Sequence, residues 1–204
     1  MNPTGTPTRL RRSAAGVLGA AVLATAACDG DVAEYPAPTG VRWQVYQGVA
    51  LPVTDQGPRS DTDGAATGFE RSPAGAAVAA ITHSVRLLVA ADTQWQTVLD
   101  REALPGAARD GWAVSRMQLT ITEPSKPEYT PRLLGYRITG YSEDRSTVDV
   151  YIENADSSRA VKHTTVEWFR DDWRLRLPDP DSTVPAVEAI DELPTGIVTL
   201  EAPK

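Results

Sequence analysis

Beyond residue 40 the hydrophobic rhythm of the chain changes three times. In "VRWQVYQGVALPV" the residues Val41, Trp43 and Val45 alternate with Arg42, Gln44 and Tyr46, a period of two that predicts a strand. The following "TDQGPRSDTDGAATGFERSP" is dense in Gly, Asp and Pro and reads as a long loop. The period then lengthens. In "AGAAVAAITHSVRLLVA" Val78, Ile81, Val85 and Leu88 recur at steps of three and four, the apolar stripe of a helix opened by Ser72 as N-cap and by Pro73. Ala76, Ala79 and Ala80 fall on the other side, small enough to let a second backbone come close, so this is the expected central helix. Asp92 is placed to cap a second helix, "TQWQTVLDREAL", with Trp95, Val98 and Leu99 inward and Pro105-Gly106 as its stop. A third, shorter helix is expected in "AARDGWAVSRMQL", weakened by Gly111. Pro124, Pro127 and Pro131 exclude a further helix or a central strand between them.

The period of two then returns. "RLLGYRITGY" and "STVDVYIEN", joined by the polar "SEDR", predict a hairpin. A second hairpin centres on a two-residue turn at Asp171-Asp172, which sets Trp168 opposite Leu175, Val166 opposite Leu177 and Glu167 opposite Arg176, so that apolar and charged pairs agree on one register. The tail, residues 179–204, is expected to be loosely held apart from a short strand at "GIVTL". A first strand, then helices, then an antiparallel meander gives segregated α+β, helices packed on a curved sheet. That order resembles the cystatin-like or NTF2-like architecture.

Residues 1–27 carry a different pattern. Arg9, Arg11 and Arg12 precede the uncharged run Ala14–Ala27, the layout of an export signal. At 14 residues the run is shorter than the ~20 needed for a transmembrane helix. Ser13 and Ala14 after the arginine pair favour general secretion over twin-arginine export. Cys28, the only cysteine, follows "LATAA", which resembles the lipobox of a bacterial lipoprotein, although Thr25 holds the position of the usual leucine. Lipidation of Cys28 is the expectation, with cleavage at Ala24-Thr25-Ala26 and a free thiol as the alternative. Residues 28–40 are then a solvated tether and residues 41–178 a single domain. The chain would sit outside the cytoplasm on the membrane's outer face or, without lipid, be secreted. The net charge of -7 becomes -7 - 3 = -10 when the three arginines of residues 1–27 are removed, which argues against nucleic acid as a partner.

Three stretches carry a resemblance: "GVRWQVYQGVALPV", "GPRSDTDGAATGFERSPAGAAVAA" and "VEWFRDDWRLRLP". Together they resemble a family of actinobacterial exported proteins, often lipoproteins and often encoded within integrative conjugative elements. The resemblance implies a setting, conjugation or the cell envelope, and a protein partner there, rather than a reaction.

Candidate chemistry is sparse. His83 lies about 180° from the middle of the helix stripe at ~100° per residue, which predicts a solvent-facing or partner-contacting histidine. His163 falls on the polar face of the second hairpin. Two histidines on separate elements make no zinc site, and Ala65 and Ser72 interrupt the calcium-loop pattern begun by Asp61, Asp63 and Gly64, so neither metal nor cofactor is expected. Of the five tryptophans, Trp43, Trp95 and Trp168 read as core; core is also the first reading for Trp112 and Trp173, which, at element ends, are the candidates for partner contact. The inward set of Val, Ile, Leu, Trp and Ala offers no evident general base, unless Asp100 or Asp110 leans inward. These readings favour a non-enzymatic, membrane-anchored binding or assembly module over an isomerase or dehydratase of the same fold class.

Overall fold

Ser72 and Pro73 begin the helix against which the main sheet packs. A computed structural model describes Met1, residues 35–179 and residues 181–203. Its elements are β1 (Arg42–Tyr46), β2 (Val49–Val53), β3 (Ser60–Thr62), β4 (Ala65–Thr67), α1 (Pro73–Val89), α2 (Trp95–Glu102), α3 (Ala107–Arg116), β5 (Arg132–Tyr141), β6 (Arg145–Glu153), β7 (Arg159–Trp168), β8 (Trp173–Arg176), β9 (Val187–Ile190) and β10 (Val198–Thr199). A single 3-10 turn, Pro127–Tyr129, lies in the proline-rich connection.

The architecture is α+β. A six-stranded antiparallel sheet runs β10-β5-β6-β7-β8, with β9 also paired to β7. Two register shifts in the β5–β6 pair, at Leu133/Gly135 and Ile138/Gly140, bend it. The helix α1 packs on β5 to β8 and is also contacted by β2, β4 and α2. The Ser72 hydroxyl accepts the Gly75 N–H at 3.2 Å, closing the expected cap. Gly75 is required for closeness, since a Cβ there would lie 2.1 Å from the Glu70 carbonyl oxygen.

Several expectations are corrected. The N-terminal strand is a hairpin, β1–β2, turned by Gln47 and Gly48, both at positive φ. Its inward residue is Tyr46, whose ring stacks 4.2 Å from the Arg86 guanidinium, while Val41 and Val45 face out. The supposed long loop holds a second hairpin, β3–β4, whose Asp63-Gly64 turn also has both φ positive, the pattern of a type I′ turn. Asp92 does not cap α2, which starts after Gln94 without a side-chain cap; it binds Arg116 at 2.9 Å instead. The helix α1 is buried nearly all round rather than along one stripe, and Leu88 of that stripe is 60% exposed.

In the second hairpin Trp168 pairs with Trp173, Glu167 with Arg174 and Val166 with Leu175. The turn is Arg170-Asp171, both at positive φ, one residue earlier than expected, which shifts the partners by two and keeps every side chain on its face. The Glu167–Arg176 ion pair forms nonetheless, on the diagonal, at 2.6 and 2.7 Å. The tail is not loose: β9 and β10 extend the sheet. Ile190, Leu193 and Ile197 pack on Leu134, Tyr151 and Val161, a small second core separate from that around α1.

Candidate functional site

Two polar constellations stand out, one sealed and one open. The sealed one begins at His83, which the sequence places in mid-α1, and at Glu102, the last residue of α2. His83 Nδ1 lies 2.8 Å from Glu102 Oε2, and Nε2 lies 2.9 Å from the Trp173 carbonyl oxygen. A carbonyl only accepts, so Nε2 carries a proton, and one further proton is held between Nδ1 and Oε2. The other carboxylate oxygen accepts the Ala66 N–H at 2.6 Å. The Phe69 ring meets the imidazole edge-on at 5.0 Å.

Asp172 extends this network by accepting the N–H groups of Gly68, Phe69 and Trp173 at 2.8, 3.0 and 2.9 Å. The Trp173 indole N–H donates to the Glu70 carbonyl at 2.9 Å. With His83 1% and Glu102 0% exposed, every functional atom of the pair is committed to holding α1, α2, β4 and β8 together. A general acid or base must reach its substrate, and this pair reaches only its own main chain.

Two buried arginines act in the same way. Arg86 grips Asp61 at 2.7 and 3.0 Å and the Gly64 carbonyl at 2.6 Å, tying the β3–β4 hairpin to α1. The Arg86 hydrogen bonds hold the Asp61 carboxyl below its ordinary range against the opposing effect of burial. Arg116 binds Asp92 and the carbonyls of Ala90 and Leu119, fixing the end of α3. Among the described residues no group of three or more His, Cys, Asp or Glu is placed to hold a metal ion.

The open constellation is a hollow of about 250 Å³ between the α2–α3 connection and the β7–β8 turn. Asp100, Pro105 and Arg109 line one side and Phe169, Arg170 and Arg174 the other. The guanidiniums of Arg170 and Arg174 lie 5.1 and 5.3 Å from the Phe169 ring centre, which positions both. Arg174 donates to the Asp100 main-chain carbonyl at 2.9 Å, while its buried Nε has no partner among the described residues. Asp100 Oδ1 meets Arg109 at a long 3.4 Å. Burial pushes the Arg174 guanidinium below its usual value; Asp172 and Asp100 oppose this, and the charges of Arg170 and Arg109 add to it. Arg170 sits at φ 51°, a left-handed conformation that costs a non-glycine residue about 1 kcal/mol. A second hollow of about 240 Å³ shares Pro105 and Arg109 and is lined by Leu104, Arg176, Leu177, Asp179 and the first turn of α3.

The structure separates the residues singled out from sequence. Cys28 lies outside the described residues. His83 is inside, not at a partner surface, because α1 is covered on the side opposite its stripe as well. Trp173 is fully buried against Trp168 and Tyr141, with ring centres 5.4 and 6.1 Å away, which removes it as a contact residue. Trp112 is half-buried and tilts against Trp95 at 6.2 Å. Asp100 and Asp110 are exposed; the acid that does turn inward is Glu102. His163 is partly exposed and bound to Asp149 at 2.7 Å. Sequence reasoning passed over Arg109, Arg170 and Arg174, whose one visible signal is the "FRDDWR" run around the turn.

No curated protein and no solved structure matches the chain. A family model described as "Domain of unknown function (DUF8175)" matches residues 3–199. The hairpins, α1 and the sheet with both its hollows therefore lie within that match, and the chain belongs to the DUF8175 family.

Proposed function

We propose that the protein is a binding or assembly module of cystatin-like or NTF2-like architecture, anchored through Cys28 to the outer face of the membrane and working in conjugative transfer or the cell envelope. The observation that carries this reading is the division of labour between the two constellations. His83 and Glu102, the pair suited to proton transfer, hold main-chain groups in the core, whereas the arginines with free hydrogen-bonding capacity face an open hollow. The export-signal pattern and the tether composition of residues 28–40 suit a protein that acts by position. Envelope and conjugation come from the resemblance in sequence alone.

The test is a photo-crosslinking residue at Asp171, beside the hollow, in cells carrying the protein's own genetic neighbourhood. Capture of transfer-channel or envelope proteins supports the module. Capture of none, together with turnover of a small molecule that Glu102→Gln abolishes while the fold is retained, assigns the isomerase or dehydratase instead.

A further inference from the structure

We infer that the hollow between the α2–α3 connection and the β7–β8 turn is a binding site for a phosphate group, held by Arg109, Arg170 and Arg174. Three guanidiniums against the single carboxylate of Asp100 leave its lining with 3 - 1 = 2 positive charges, in a protein whose formal charge is -7. Asp172, whose charge also acts on Arg174, is occupied by three main-chain N–H groups, and Asp171 and Asp110, next in the chain to Arg170 and Arg109, are exposed and lie outside the lining. The arginines are thus short of anionic partners, and the balance of two matches a phosphate dianion rather than a lone carboxylate.

Construction of the site agrees with its charge. Phe169 holds two of the guanidiniums by stacking, so less freedom is lost when a ligand is gripped. Arg174 is half-buried and, among the described residues, donates only through Nη1, to the Asp100 carbonyl. Arg170 occupies a left-handed turn position where Asn or Gly would be unstrained, so the turn itself gains nothing from an arginine. The adjoining hollow, lined by Leu104 and Leu177 together with the oppositely charged Arg176 and Asp179, offers room for the remainder of a phosphate ester. The inference goes beyond the assembly reading and does not rest on it.

The experiment is calorimetric titration of the full-length chain with inorganic phosphate, glycerol 3-phosphate and acetate at constant ionic strength, on wild type and on Arg170→Asn. Asparagine suits the left-handed turn, so this variant should melt no lower than wild type yet bind phosphate at least tenfold more weakly. Tighter binding of inorganic phosphate assigns the free ion, and tighter binding of glycerol 3-phosphate a phosphate ester; both support the site. Arg174→Met should also lose binding. Acetate binding as tightly as phosphate, no binding of either phosphate, or unchanged affinity in a folded Arg170→Asn overturns the inference. None of those failures alters what the crosslinking experiment captures.

Discussion

Lys162 and His83 show how differently two basic side chains are accommodated near the same helix. His83 has a carboxylate and a carbonyl as partners, whereas the Lys162 ammonium has one neutral acceptor, the Ser84 carbonyl at 2.9 Å. Burial without a compensating charge lowers Lys162 from 10.5 to about 8. Below about pH 8 it is protonated in folded and unfolded chains alike, and the folded state bears the full penalty. Between about 8 and 10.5 the unfolded chain holds a proton that the folded one lacks, so stability rises with pH through that window. The penalty is about 3 kcal/mol at about 1.4 kcal/mol per unit. Lys162→Met should therefore stabilise the protein at pH 7 by about 1–3 kcal/mol after loss of the Ser84 hydrogen bond, and the advantage should shrink by pH 10.5. Chemical denaturation at the two pH values checks this, and a destabilised Lys162→Met at pH 7 would contradict it.

Among the elements, those with a local signal were legible in the sequence. The Ser72-Pro73 start of α1, the β5–β6 hairpin and the strand within "GIVTL" follow from caps, periodicity and turn composition. What escaped depended on long-range cover. A helix with few charged residues and alanine on several sides is one buried all round, and reading a single stripe from it placed His83 outside. The Asp63-Gly64 dipeptide is a strong hairpin signal that was absorbed into a loop. The Arg170-Asp171 turn gave no such signal, because arginine is an uncommon choice at positive φ, and the anion-binding face of that turn was hidden with it. The register now makes its own prediction. Trp173, fully buried at the start of β8, should cost about 3–5 kcal/mol when changed to Ala, whereas its half-buried partner Trp168 should cost clearly less, about 1–2 kcal/mol. Equal losses in thermal melts of the two variants would place both indoles at the same depth and contradict the burial described for this hairpin.

At the scale of the whole molecule, address and architecture are separate questions. Cys28 belongs to the first, and its test is partition: wild type made in an actinobacterial host should enter the detergent phase, and Cys28→Ser should be released or left unprocessed. Wild type found wholly in the medium without lipid would remove the anchor and leave the fold as described. Architecture adds a consequence at β7, whose outer edge is covered by β8 along Thr165–Trp168 and by β9 along Arg159–Lys162. Those two covers are not neighbours in the chain; β9 arrives from the tail. A bare strand edge is a template on which another molecule can add a strand, and so the seed of an aggregate. A chain stopped before Val187 would keep the residues of α1, the hairpins and both hollows, yet it would uncover four residues of β7, the β5 edge at Gly135 and Tyr136 and the apolar side chains of Leu134, Tyr151 and Val161, and it would take Leu200 and Ala202 out of the main core. The last part of the chain thus acts as a guard against self-association as well as a piece of the core, and its loss should be felt as precipitation on top of a lowered melting temperature.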